Sequence, residues 1–111
     1  METSIELPIV TNEMITSLQA TMRERGLRPV EEFDLVPDQE LLRIDVTTGE
    51  ETLVRIVEKK KKPLSCVHYK YVEESSAHVV IPMENFLRKD CVLHSNFANA
   101  TRYFTQDSNS G

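Results

Sequence analysis

Residues 63–74 read PLSCVHYKYVEE, and the architecture of the whole chain turns on whether they coil or extend. As a helix opened by Pro63, Leu64, Val67, His68, Tyr71 and Val72 fall in one stripe. As a strand, Val67, Tyr69 and Tyr71 share one face, with Cys66, His68, Lys70 and Val72 on the other. Valine and tyrosine favour extension, and Glu73 and Glu74 suit a helix C-terminus poorly. The apolar stripe tips the reading slightly toward a helix.

Working outward, residues 41–46 (LLRIDV) and 52–58 (TLVRIVE) are apolar, β-branched runs joined by residues 47–51, which contain Gly49. This is the pattern of an antiparallel hairpin. Strict alternation in the second run places Val54, Ile56, Glu58 and Lys60 on one side, and Leu53, Arg55, Val57 and Lys59 on the other. The run empties into Lys59, Lys60, Lys61 and Lys62, the only dense positive charge in the chain.

On the N-terminal side, residues 1–10 form an extended lead-in, since Pro8 is unsuited to a central strand. Thr11 or Asn12 caps a helix with Glu13 in its first turn, Met14, Ile15, Leu18 and Met22 on one face, and Gly26 as its stop. Residues 27–40 are punctuated by Pro29 and Pro37 and rich in acid, a loop with a short strand or helical turn pinned by Phe33 and Leu35. On the C-terminal side, residues 77–81 look like a buried strand ended by Pro82. A short helix over residues 82–89 follows, with Met83, Phe86 and Leu87 inward, and residues 91–93 can add a strand. The expected fold is α+β: an N-terminal helix packed on a three- to four-stranded, mostly antiparallel sheet, with one or two further short helices. Residues 1–98 make a single compact domain and residues 99–111 a flexible C-terminal tail in which Tyr103 and Phe104 can dock.

At 111 residues the chain has room for a single modest core. No apolar run reaches the roughly 18 residues of a membrane span, and Glu2, Glu6 and Glu13 stand where an export signal wants basic charge. An intracellular protein, cytoplasmic or nuclear, is the expectation, with Cys66 and Cys91 as reduced thiols and the sequon at Asn99 unused. The net charge is −5, but residues 1–51 carry −8 and residues 52–111 carry +3. That asymmetry permits a local basic patch or self-association, and argues against general affinity for nucleic acid.

Candidate chemistry gathers at the end of the hairpin. Arg55, Lys59, Lys60, Lys61, Lys62 and Lys70, interleaved with Tyr69, can bind phosphates and stack bases, or meet an acidic protein surface. Cys66-x-His68 and Cys91-x-x-His94 supply zinc-type ligands at a spacing that suits zinc badly, and no glycine-rich oxyanion turn accompanies either cysteine. His78 is read as a satisfied residue at the core edge.

Asp45 followed at a distance by Glu58-x-Lys60, set in the order helix, strand, strand, possible helix, strand, resembles the core of the PD-(D/E)XK nuclease superfamily over residues 12–82. The resemblance implies Asp45 and Glu58 as Mg²⁺ ligands and Lys60 as the catalytic lysine of phosphodiester hydrolysis. Asp45 follows Ile44 where the family has proline, while Pro37 and Asp38 lie before the strand. A similar core without catalysis occurs in the N-terminal domain of the fifth subunit of eukaryotic RNA polymerases. The leading expectation is a non-enzymatic interaction module without a cofactor, binding an acidic protein or a nucleic acid through the basic patch. The alternative is a Mg²⁺-dependent nuclease.

Overall fold

The computed structural model describes residues 9–74 and 77–107. Helix α1 (Asn12–Glu24) is followed by β1 (Leu27–Pro29), a 3-10 turn (Glu32–Asp34), β2 (Glu40–Asp45), β3 (Glu51–Lys60), β4 (Cys66–Tyr71) and β5 (His78–Pro82). Two short helices, α2 (Met83–Phe86) and α3 (Asn96–Asn99), precede the last strand, β6 (Thr101–Gln106). The fold is α+β, with one antiparallel sheet whose order is β1-β6-β2-β3-β4-β5. Its six strands exceed the three to four expected from the sequence.

Local chemistry explains α1 well. The Thr11 side chain accepts from the Met14 amide at 3.3 Å, and Gly26 takes a left-handed φ of +79° just past the helix end. Ile15 and Met22 are buried, and Met22 clusters with Ile44 of β2 and Phe104 of β6.

Residues 63–74, weighed slightly toward a helix, contain β4 instead. The strand pattern wins because Val67 and Tyr69 bury completely against Ile56 and their other neighbours, which a helix stripe spread over both faces could not match. Three further expectations are corrected. Residues 78–82 form an edge strand, not a buried one, and Val80 stays 55% exposed. Phe33 does not pin the acidic loop; it stands in solvent under the Arg28 guanidinium, while Leu35 is buried together with Val30. Residues 91–93 form no strand.

The largest correction concerns the expected tail from residue 99. Over Thr101–Gln106 the chain is an internal strand hydrogen-bonded to β1 on one side and β2 on the other. Arg102, Tyr103, Phe104 and Thr105 are all buried, so β6 faces protein on both sides. Residues 108–111 lie outside those described.

Strand β3 carries a bulge. Ile56 pairs with Tyr69 and Glu58 with His68, so Val57 is an extra residue on β3. Past it the two sides exchange: Lys59 lies opposite buried Val67, while Glu58 and Lys60 lie opposite His68 and Cys66. The strict alternation expected for this strand therefore fails at Val57.

Ending the chain after residue 99 removes a central strand and should abolish cooperative unfolding in urea. Phe104→Ala in the full chain should cost about 3–5 kcal/mol, read from the same transition. A truncated chain that unfolds with the full-length midpoint contradicts this topology.

Candidate functional site

The basic residues at the end of β3 are distributed and partnered. Arg55 meets Glu40 at 2.9 Å, Lys60 meets Glu58 at 3.6 Å and Lys61 meets Glu32 at 3.5 Å. Lys59 points to the other side of the sheet and donates to the Glu32 carbonyl. Arg55 and Lys70 face each other across β3 and β4, but Tyr69, between them in sequence, is 1% exposed and belongs to the core. It cannot stack a base. Glu40 and Glu32 of the acidic half thus hold Arg55 and Lys61, and Glu58 holds Lys60, so the expected cationic surface is partly neutralised, while Lys59, Lys62 and Lys70 form no ion pair among the described residues. Such exposed pairs contribute little to stability, yet each removes a charge from the outside field.

Asp45 and Glu58 do not converge. Asp45 sits at the hairpin turn, where its neighbour Ile44 pairs with Glu51, and Glu58 lies roughly seven strand residues, about 23 Å, farther along. The bulge also places them on opposite faces. The Asp45 carboxylate is occupied locally, accepting from the Thr47 hydroxyl at 2.5 Å and from the amides of Thr47 and Thr48. These bonds, the Thr47 hydroxyl foremost, outweigh burial and hold its pKa below the ordinary aspartate value. Only Glu58 and Lys60 are brought together, and among the described residues no cluster of three His, Cys, Asp or Glu side chains is arranged to hold a metal. The zinc-type pairs likewise remain apart from each other.

A different site forms on the face of the sheet shared by Arg43, Tyr69, Tyr71 and Tyr103. Register explains it: Arg43 pairs with Tyr103 across β2 and β6, and Tyr69 and Tyr71 reach the same side from β4. The Tyr69 and Tyr103 hydroxyls are 2.9 Å apart, and Tyr103 stacks on Phe86 of α2. Above them opens a pocket of about 460 Å³, also bordered by Asp45, Asn85 of α2, Phe97 of α3, and Val79 and Ile81 of β5. Burial pushes the Tyr103 phenol far above its ordinary pKa and raises Tyr69 as well, so both remain protonated donors.

Arg43 is the unusual member. Among the described residues three arginines, Arg43, Arg88 and Arg102, have a buried Nε without an acceptor. Arg102 nevertheless directs its terminal nitrogens at four carbonyls, those of Asp90, Ala98, Asn99 and Thr101, and Arg88 meets Asp90. Arg43 has neither a carbonyl nor an ion-paired carboxylate among the described residues. Burial works against its charge, but the oxygens of Tyr71, Tyr69 and Tyr103 more than compensate and leave its pKa raised. A fixed positive charge therefore lines an open pocket beside three phenols, with the Asp45 carboxylate, whose pKa it helps to lower, at the same pocket's border.

The sequence carried a trace of this site. An arginine in the middle of LLRIDV, on a strand whose Leu41 and Ile44 bury to opposite sides, is out of place unless its charge is used. Tyr103 could not be assigned to it while residues 99–111 read as a tail. Compared with known proteins, the chain matches no family model, no curated protein and no solved structure.

Asp45 gives a pH test with a definite sign. Its folded pKa is depressed, so its contribution is complete above the unfolded value of about 3.9 and disappears as pH falls through the folded one. Asp45→Ala should cost about 1–2 kcal/mol at pH 7 by urea denaturation. The difference from the parent chain should shrink below about pH 4; a gap that widens on acidification contradicts the assigned hydrogen bonds.

Proposed function

We propose that this domain is a non-enzymatic interaction module that receives a short acidic segment of a partner protein in the Arg43 pocket. The observation that carries the reading is the half-buried guanidinium of Arg43, whose Nε has no acceptor and which forms no ion pair among the described residues, Asp45 acting on it only at longer range. A charge withdrawn from water is costly unless paired, and a bound carboxylate meets that need with bidentate geometry.

The surroundings narrow the ligand class. Asp45 shares the pocket and uses its Oδ1 on Thr47 and Thr48, so its negative charge still favours a donor on that side of the ligand. A peptide offers both elements, a carboxylate for Arg43 and an amide N–H toward Asp45; a simple inorganic anion offers only the first. Val79, Ile81 and Phe97 provide apolar walls for a side chain beside the acidic group, and Phe97 is 93% exposed at the rim. The acidic partner expected from the sequence is retained, while its anchor moves from the lysine run to Arg43.

Nucleic acid fits this pocket less well. The chain is acidic overall, Tyr69 is buried and the Lys60 and Lys61 side chains have carboxylate partners. The nuclease reading needs Asp45 and Glu58 at one metal, and these are far apart.

The test is an amide-shift titration of the full chain with a set of short apolar peptides ending in aspartate or glutamate. At least one should shift the amides of residues 43, 79–81 and 101–103. Arg43→Gln should weaken that binding about tenfold or more, the loss expected for one charged hydrogen-bonded contact. Joint Lys60→Glu and Lys61→Glu should leave it within about twofold, because rim charges contribute little. Binding that survives Arg43→Gln and disappears in the lysine variant returns the anchor to the hairpin end, and a set of peptides that never binds removes the proposal.

A further inference from the structure

The opposite face of the sheet holds a second arrangement of side chains. Cys66 and His68 on β4 and His78 on β5 all project there, as the pairing of His68 with Val80 and Lys70 with His78 requires. Cys66 Sγ lies 3.6 Å from His68 Nε2, and His68 Nδ1 lies 3.3 Å from His78 Nε2. The two imidazoles meet edge to face with centroids 5.3 Å apart. The tautomer that lets the thiol donate to His68 Nε2 puts the ring proton on Nδ1, where it donates to His78 Nε2. A nucleophile, a base and a group that orients the base thus stand in series.

The thiol also borders a groove of about 690 Å³, which meets the Arg43 pocket at Val80 and Pro82 of the edge strand β5. Its walls are mainly apolar, formed by Leu64, Val80, Pro82, Met83 and Leu87, with Ser65 and Glu84 as polar members. Leu64 is 77% exposed and Val80 55% exposed, so this apolar surface is open to a ligand. Lys60 is the cross-strand partner of Cys66, and Lys62 follows it with no ion pair among the described residues. The cationic end of β3 therefore flanks the thiol on one side and the apolar groove on the other.

We propose that Cys66 is an acyl-acceptor thiol that takes an apolar acyl group from a thioester whose carrier bears phosphates. The acyl chain lies in the groove, and the carrier's phosphates meet Lys62, which has no carboxylate partner among the described residues, beside the Glu58-paired Lys60. The Cys66 sulfur attacks the thioester carbonyl carbon while its proton passes to His68 Nε2, and His78 holds the imidazole in register. The tetrahedral intermediate collapses with cleavage of the donor's carbon–sulfur bond, and the departing thiolate takes the proton from His68. One thioester is consumed and one formed, so no oxidant or reductant enters. Cys91 serves as an internal control: it is also half-buried, but its thiol donates to the Val10 carbonyl at 3.4 Å and forms no hydrogen bond to an imidazole among the described residues.

The experiment incubates the full chain with octanoyl-coenzyme A and, separately, with acetyl-coenzyme A, and follows adducts by intact mass and peptide mapping. Octanoylation should occur at Cys66, release with hydroxylamine, and outpace acetylation several-fold. Cys66→Ser should remove the adduct, whereas Cys91→Ser should leave it. His68→Gln should slow the initial rate by about tenfold or more, as loss of a general base does, with its circular dichroism unchanged because the ring is on the surface. His78→Gln should slow it less. Equal labelling of Cys66 and Cys91, equal rates for the two acyl lengths, an unaltered rate in His68→Gln, or no adduct at all overturns the proposal.

Discussion

Placement of the last strand between the first two is the constraint on which this structure depends. β6 joins β1 to β2, and its aromatic pair serves both sides: Tyr103 enters the main core while Phe104 joins Met22 and Ile44 on the reverse face. A central antiparallel strand satisfies backbone groups on two neighbours at once, so its loss would orphan both ladders. The same register sets Arg43 beside Tyr103. The pocket is thus a consequence of closing the sheet with its final strand.

The bulge at Val57 governs the other half of the molecule. By exchanging the faces of β3 beyond Ile56, it sends Lys59 toward the Glu32 turn and leaves Glu58 and Lys60 beside His68 and Cys66. A charge run that looks uniform in sequence is thereby split between two faces. The acidic segment of residues 31–40 then reaches it, through Glu32 to Lys61 and Glu40 to Arg55. The opposed charges of the two chain halves find each other within one molecule.

Local features were legible in the sequence. The Thr11 cap, the Gly26 stop and the hairpin around Gly49 depend on neighbours in sequence, and all three formed as expected. The chemistry at Met83 and Phe86 also followed from spacing. What escaped was non-local. TRYFTQ has the β-branched and aromatic content of a strand, but polar residues on both sides hid it, and only pairing with β1 and β2 gives it a place. Residues 63–74 satisfied both periods, so tertiary burial of Val67 and Tyr69 decided the matter. The bulge has no sequence mark at all, since Val57 suits either side of a strand. Arg43 passed as one polar residue of an apolar run and became a site only when the strand order surrounded it with tyrosines.

We propose that the Arg43 guanidinium pairs with an anion brought by a partner. The most direct measurement is the Arg43 Nε–Hε resonance, observed in the free chain and again with a bound acidic peptide. This signal, lacking an acceptor among the described residues of the free chain, should move downfield and become protected from solvent exchange when the peptide binds. A peptide that binds while the Arg43 Nε–Hε signal stays where it was contradicts this pairing.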